Sequence, residues 1–118
     1  MDPTFPFEVI RPWGSFRQYS KDTPLTVKII TVLPHEALSL QSHAKRAEFQ
    51  RVLSGSGELH IEGKVYELKP GDEHEIPKGA KHRVEASEEG LSFLELSVGE
   101  FDEDDIIRYE DKYGRVNK

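Results

Sequence analysis

Two short motifs hold the residues best suited to chemistry. The first runs Gln41-Ser42-His43, then Glu48, then Gly55; the second holds Gly71, Pro77, Gly79 and His82. Gln41, His43, Glu48 and His82 offer a carboxamide oxygen, two imidazoles and a carboxylate. That mixed nitrogen and oxygen set suits one divalent metal, Zn, Mn, Fe, Co or Ni. No thiolate biases the choice, because the chain has no cysteine. Four protein ligands nearly saturate Zn, whereas a six-coordinate metal keeps two positions for a bidentate substrate.

Such a metal can act as a Lewis acid, polarising a carbonyl and stabilising developing negative charge on oxygen. An anionic substrate would call for Arg or Lys. The cations near the motifs are Lys45, Arg46, Lys81, Arg83 and Arg108, with Arg11 further off. His74 and Glu75 are adjacent in a strand, so only one of them can face a cavity. His35 and His60 read as surface residues, and Trp13 and Tyr109 as packing anchors.

The elements that position these groups are short strands. Turn signals recur at Asp22-Thr23-Pro24, Leu33-Pro34-His35, Ser54-Gly55-Ser56-Gly57, Glu62-Gly63-Lys64, Lys69-Pro70-Gly71-Asp72, Pro77-Lys78-Gly79 and Glu88-Glu89-Gly90. Between them, residues 26–32, 49–53, 58–61, 64–68 and 91–98 read as strands, with a hairpin at Glu62-Gly63. Gln41 and His43 share a strand face. Glu48 has the opposite parity to His43, so the chain must turn over Ala44-Lys45-Arg46-Ala47. His82 opens a strand after the Pro77–Lys81 loop. The pattern predicts an all-β sandwich or barrel. Acids in the first turn of Asp102–Tyr109 predict a short C-terminal helix of about two turns.

The chain then resembles a known family over nearly its whole length. His43, Glu48 and Gly55 match the first motif of the cupins, and Gly71, Pro77, Gly79 and His82 the second. Arg11-Pro12-Trp13-Gly14-Ser15-Phe16, Ser39–His43, Arg46-Ala47-Glu48, Val52–Gly55 and Asp104–Arg115 look like the cupin of type II mannose-6-phosphate isomerases. That group includes the C-terminal part of mannose-1-phosphate guanylyltransferases. The resemblance implies a single double-stranded β-helix (a jelly-roll barrel), often dimeric, over residues 1–118. It implies a divalent metal held by Gln41, His43, Glu48 and His82, and interconversion of mannose 6-phosphate and fructose 6-phosphate.

Within it, Arg46 and Arg108 fall on family positions and become catalytic candidates for phosphate or enediolate charge. Lys45 replaces a family His and is the candidate base or phosphate contact. Ala44-Lys45 replaces a His-rich run, Phe49-Gln50 replaces His-Trp, and His35 and Ala86 stand where cupins carry Gly and Asn. These departures favour a second reading, a cupin that binds a sugar or sugar phosphate without turnover; a third is a metal-dependent oxygenase, against which Gln41 counts because it alters the usual three-His-one-Glu set.

The bulk numbers bound the rest. The 118 residues make one ordinary domain. A net charge of −6 argues against a nucleic-acid surface. Glu100–Asp111 alone holds seven acids and one Arg. No apolar run approaches the ~18 residues of a membrane span, and the first residues lack the basic start and apolar run of a secretory signal. Without cysteine, a reducing cytoplasm is the expected compartment. Sheet edges in so small a barrel need cover, so a homodimer is expected.

Overall fold

Alternation of apolar and polar residues shapes two long strands, and the barrel is built around them. In the computed structural model, which describes residues 5–99, 102 and 104–116, the elements are β1 (Phe7–Arg11), β2 (Gly14–Gln18), β3 (Leu25–Val32), β4 (Leu40–Ser42), β5 (Arg46–Ile61), β6 (Lys64–Leu68), β7 (Glu73–Ile76), β8 (His82–Gly99) and β9 (Ile107–Glu110). β5 and β8 pair antiparallel along nearly their whole length, Arg46 opposite Gly99 and Ile61 opposite His82.

Each long strand serves two sheets. The early half of β5 and the late half of β8 lie between β7 and β3. The other halves carry β6 on one side and β4, then β9, on the other. Two sheets sharing two bent strands form the expected double-stranded β-helix. Val52, Leu59, Leu68, Ile76, Val84, Leu91 and Phe93 fill the space between them. Among the described residues no helix is long and apolar enough to cross a membrane.

The expected hairpin joins β5 to β6. Glu62 and Gly63 both take positive φ, 47° and 82°, the geometry that matches strand twist in a two-residue turn.

Several expectations are corrected. Ser54–Gly57 is not a turn; register shifts at Val52/Ser54 and Gly55/Gly57 bend β5 while it continues. Having no side chain, Gly55 lets the Gly90 carbonyl pass where a Cβ would stand. Glu88-Glu89-Gly90 likewise lies inside β8. Among the described residues of Asp102–Tyr109 no helix forms. Ile107–Glu110 is a strand, with Arg108 opposite Gln41 and Ile107 opposite Ser42. Pairing with β4 outweighs the local preference of an acidic first turn. Glu103, inside the expected helix, lies outside the described residues. Trp13 is no packing anchor within the chain, because it sits exposed at the tip of the β1–β2 ribbon. Tyr109 does anchor: its hydroxyl shares a 2.9 Å hydrogen bond with Ser42 Oγ, and the Lys81 ammonium lies over its ring.

Candidate metal centre

Inward parity on β5, β8 and β4 gathers the ligand candidates in one cavity. Glu48 and Gln50 point inward from β5, His82 and Glu95 from β8, and Gln41 from β4. Gln41 pairs with His82 on one side and Arg108 on the other, so these three side chains form a row on one face. Gln50, Glu95 and Lys28 form a second row across β5, β8 and β3. His43 follows β4 at the head of the Ala44-Lys45 turn. The cavity holds about 200 Å³.

Three donors converge there. His82 Nε2 lies 3.1 Å from Glu48 Oε1, and His43 Nε2 lies 3.5 Å from the same oxygen. All three residues are buried. His43 Nδ1 lies 2.7 Å from the Asp105 carbonyl, and His82 Nδ1 lies 3.0 Å from the Ala80 carbonyl. A carbonyl only accepts, so each Nδ1 carries the proton. Each Nε2 then offers its lone pair to the cavity, which is the outer support a metal-binding imidazole needs. The Arg46 guanidinium donates to His43 Nε2 over 3.4 Å, consistent with that tautomer. The Gln41 amide nitrogen donates to the Ser39 carbonyl at 3.3 Å, leaving its carboxamide oxygen as the donor atom.

The fit to a divalent cation rests on Glu48. Its Oε1 is buried and makes no well-aligned hydrogen bond, although two imidazole nitrogens face it. Two lone pairs and a carboxylate oxygen pointed at one another repel unless a cation lies between them. Burial opposes charge on Glu48, but positive charge on the facing His82 and His43 outweighs it and pulls the carboxyl down to about 2; with both rings neutral, a bound cation takes that place. Burial also lowers the pKa of His43, favouring the neutral, ligating form.

The cation candidates divide. Arg46 and Arg108 line the cavity. Lys45 does not; its side chain is exposed and reaches Asp102 at 3.3 Å. Lys81 lies over Tyr109, Arg83 bonds Glu110 and the Leu38 carbonyl, and Arg11 lies over Phe16, all outside the cavity. His74 packs its ring against Tyr66.

Sequence reading missed Lys28, Gln50, Glu95 and Asp105. Gln50 Nε2 donates to Glu95 Oε2 at 3.4 Å. Burial, then the negative Glu48 beside it, pushes Glu95 up to about 7. The signal was present: Leu91–Val98 is an apolar strand, and an acid on its inward face stands out. Asp105 gave no such signal. Its carboxylate accepts from the Ala44 and Lys45 amides at 2.9 and 2.8 Å, while its carbonyl holds His43.

Comparison with known proteins agrees with this architecture. Residues 4–111 match the family model described as mannose-6-phosphate isomerase C-terminal. The chain is 40% identical over 111 residues to mannose-1-phosphate guanylyltransferase ManC of Salmonella typhimurium, covering 92% of this chain and 23% of that protein. It is 38% identical over 117 residues to xanthan biosynthesis protein XanB of Xanthomonas campestris, covering 98% of this chain and 25% of that protein. The chain therefore spans about a quarter of the length of these relatives.

Among solved structures, a cupin protein from Bacteroides fragilis superposes with a TM-score of 0.61 at 28% identity, over 65% of this chain and 67% of that one. A protein of Acidithiobacillus ferrooxidans, provisionally described as a sugar phosphate isomerase, gives 0.58 at 27%, over 63% and 49%. Oxalate decarboxylase of Bacillus subtilis, which has Mn(II) centres, gives 0.63 at 26%, over 75% and 25%. With its fold and family match in agreement, the chain is a cupin and belongs to the mannose-6-phosphate isomerase C-terminal family.

Proposed function

We propose that this cupin is a metal-dependent sugar-phosphate isomerase that interconverts mannose 6-phosphate and fructose 6-phosphate. The observation that carries the reading is one buried cavity in which Gln41, His43, Glu48 and His82 meet Lys28, Arg46, Arg108 and Glu95. Isomerisation needs all three chemistries that these groups supply: a Lewis-acid site, positive charge, and a proton carrier.

Gln41, His43, Glu48 and His82 hold the divalent metal, which when bound supplies Lewis acidity for the carbonyl and adjacent hydroxyl. Glu95 is the carboxyl lining the cavity that the ligand set does not use, among the described residues. It takes the proton from C2 of the aldose and returns it to C1, while the hydroxyl proton on O2 passes to O1, so the enediol collapses to the ketose with no net loss of protons. Arg108, beside Gln41 in the row, and Arg46 balance the negative charge of phosphate and enediolate. A cavity of about 200 Å³ seats the reacting end of the sugar and leaves the phosphate towards its mouth. The family description and the sugar-phosphate names of relatives support the same substrate class. A chain without cysteine suits the reducing cytoplasm where such metabolites lie.

A second reading, sugar-phosphate binding without turnover, is favoured by one observation. Lys45, the candidate base, points away to Asp102. The two readings separate in one experiment. Metal-reconstituted protein is given mannose 6-phosphate in D₂O, and deuterium at C2 and fructose 6-phosphate are followed. Exchange and turnover support the isomerase; saturable binding with neither overturns it in favour of the binding module.

A further inference from the structure

His43 is the ligand of the proposed set that no strand ladder holds. Gln41 lies in β4, Glu48 in β5 and His82 in β8, each opposite a neighbour in the sheet. His43 follows β4, and Ala44 and Lys45 after it are exposed. A residue outside a strand needs its direction fixed by other bonds. The Gly79 amide donates to the His43 carbonyl at 2.8 Å, which holds the backbone but not the ring.

The ring is held from the C-terminal segment. Asp105 accepts three bonds there: its carbonyl from His43 Nδ1 at 2.7 Å, and its carboxylate from the Ala44 and Lys45 amides at 2.9 and 2.8 Å. The carboxylate bonds are charge-assisted, and they fix the carbonyl against the ring. The Asp105 amide donates to the Asp102 carbonyl at 3.0 Å, closing a turn just before β9. β9 is an edge strand, paired only with β4 among the described strands. Its far end is tied by Arg83, which donates to Glu110 at 3.3 Å. Asp105 ties its near end, and Ile106 and Arg108, directly after it, line the cavity.

On the metal-dependent sugar-phosphate reading above, on which this rests, we propose that Asp105 is the positioning residue of the site, setting His43 for the metal and Arg108 for the sugar phosphate through one carboxylate. Without that carboxylate the Ala44-Lys45 turn and the start of β9 separate, and water takes the two amides. The freed ring must then be ordered when the metal arrives, and that cost comes off the affinity. Arg108 loses its fixed start, so an anion meets a cation that is no longer aimed. Asp104, one residue away, supplies the comparison. It carries the same charge, but it is exposed and makes neither amide bond.

Mn(II) affinity of the wild type, Asp105→Ala, Asp105→Asn and Asp104→Ala is measured by chelator competition, and mannose 6-phosphate affinity by calorimetry with Mn(II) saturating. Asp105→Ala raises the Mn(II) Kd by about 10–100-fold. It weakens mannose 6-phosphate binding by about 10-fold. Asp105→Asn, which keeps one acceptor oxygen, lies between. Asp104→Ala matches the wild type in both. Circular dichroism of the metal-free forms stays that of the wild type, because Ala44 and Lys45 are exposed and water reaches their amides. A wild-type Mn(II) Kd in Asp105→Ala overturns the proposal and leaves the metal site standing. So does an equal loss in Asp104→Ala, which would make charge and not contact the cause. Unchanged mannose 6-phosphate affinity overturns the link to Arg108. A wild type that binds no Mn(II) or no mannose 6-phosphate overturns the reading beneath, and this proposal with it.

Discussion

His82 Nε2 faces Glu48 Oε1 at 3.1 Å while its Nδ1 is held by the Ala80 carbonyl at 3.0 Å. The ring therefore meets a carboxylate with a lone pair, not with a hydrogen. His43 repeats the arrangement from the other side through Asp105. The backbone has fixed two imidazoles in the tautomer that suits a cation, and Glu48 completes its charge balance. Ordinary histidine packing does not need both rings held in this way.

Metal content tests that reading. Protein reconstituted with Mn, Zn, Fe, Co or Ni is expected to retain about one ion per chain. His43→Ala/His82→Ala should retain none after dialysis, by elemental analysis. Full occupancy in the double variant would rule out the assignment.

Glu95→Gln separates catalysis from metal binding. Its shape and the contact with Gln50 survive, but it can no longer carry a proton. The turnover number should fall by about 10²–10⁴, with C2 exchange lost in step and metal content unchanged. Loss of metal instead would make Glu95 a support for Glu48.

Arg108 and Lys45 form a matched pair. Arg108 lines the cavity, whereas Lys45 is turned out to Asp102. Arg108→Ala should raise KM if it binds phosphate, or lower kcat if it acts only on the enediolate. Lys45→Ala should leave both near wild type. Steady-state kinetics on the two variants decides the roles, and an inert Arg108→Ala would remove it from the site.

The ribbon base should be sensitive to acid. Burial raises the Glu73 carboxyl, but Arg17, Tyr19 and Arg51 together outweigh it and hold its pKa below 4.5. A depressed carboxylate stabilises the fold above its unfolded pKa, and that contribution is lost as pH falls through the folded value. Glu73→Gln should cost about 1–2 kcal/mol near neutral pH, after allowing for the exposure of Arg17 and Arg51. The difference from wild type should narrow below about pH 4. Urea unfolding across pH 3–7 measures it (m-values are compared to check two-state behaviour). An unchanged gap across that range would show that Glu73 carries no such load.

Gly55 should resist substitution. Its φ is +80°, and a Cβ would overlap the Gly90 carbonyl. Gly55→Ala should destabilise by about 2–4 kcal/mol, read from the denaturation midpoint. Wild-type stability would mean the β5 bend relaxes freely.

Much of this protein is written in local patterns. Period-two alternation, the Glu62-Gly63 turn and the His43, Glu48, Gly55 and Gly71–His82 spacings specify strands, register and a shared ligand face. Parity suffices there, because a strand can present a side chain to only two faces. The tertiary structure decided what parity cannot. Bulges at Ser54 and Gly57 turn two expected strands into one, because the pairing of β5 with β8 continues through the bend. The acidic segment resembles a helix start, yet residues 104–110 form a turn and a strand, since β4 offers them an edge and the Asp105 carbonyl holds His43. Lys28 and Glu95 lie 67 residues apart in the chain and meet only because β3 pairs with β8. Trp13 reads as a packing anchor by type, yet it lies exposed at the tip of a ribbon that pairs with no other described strand.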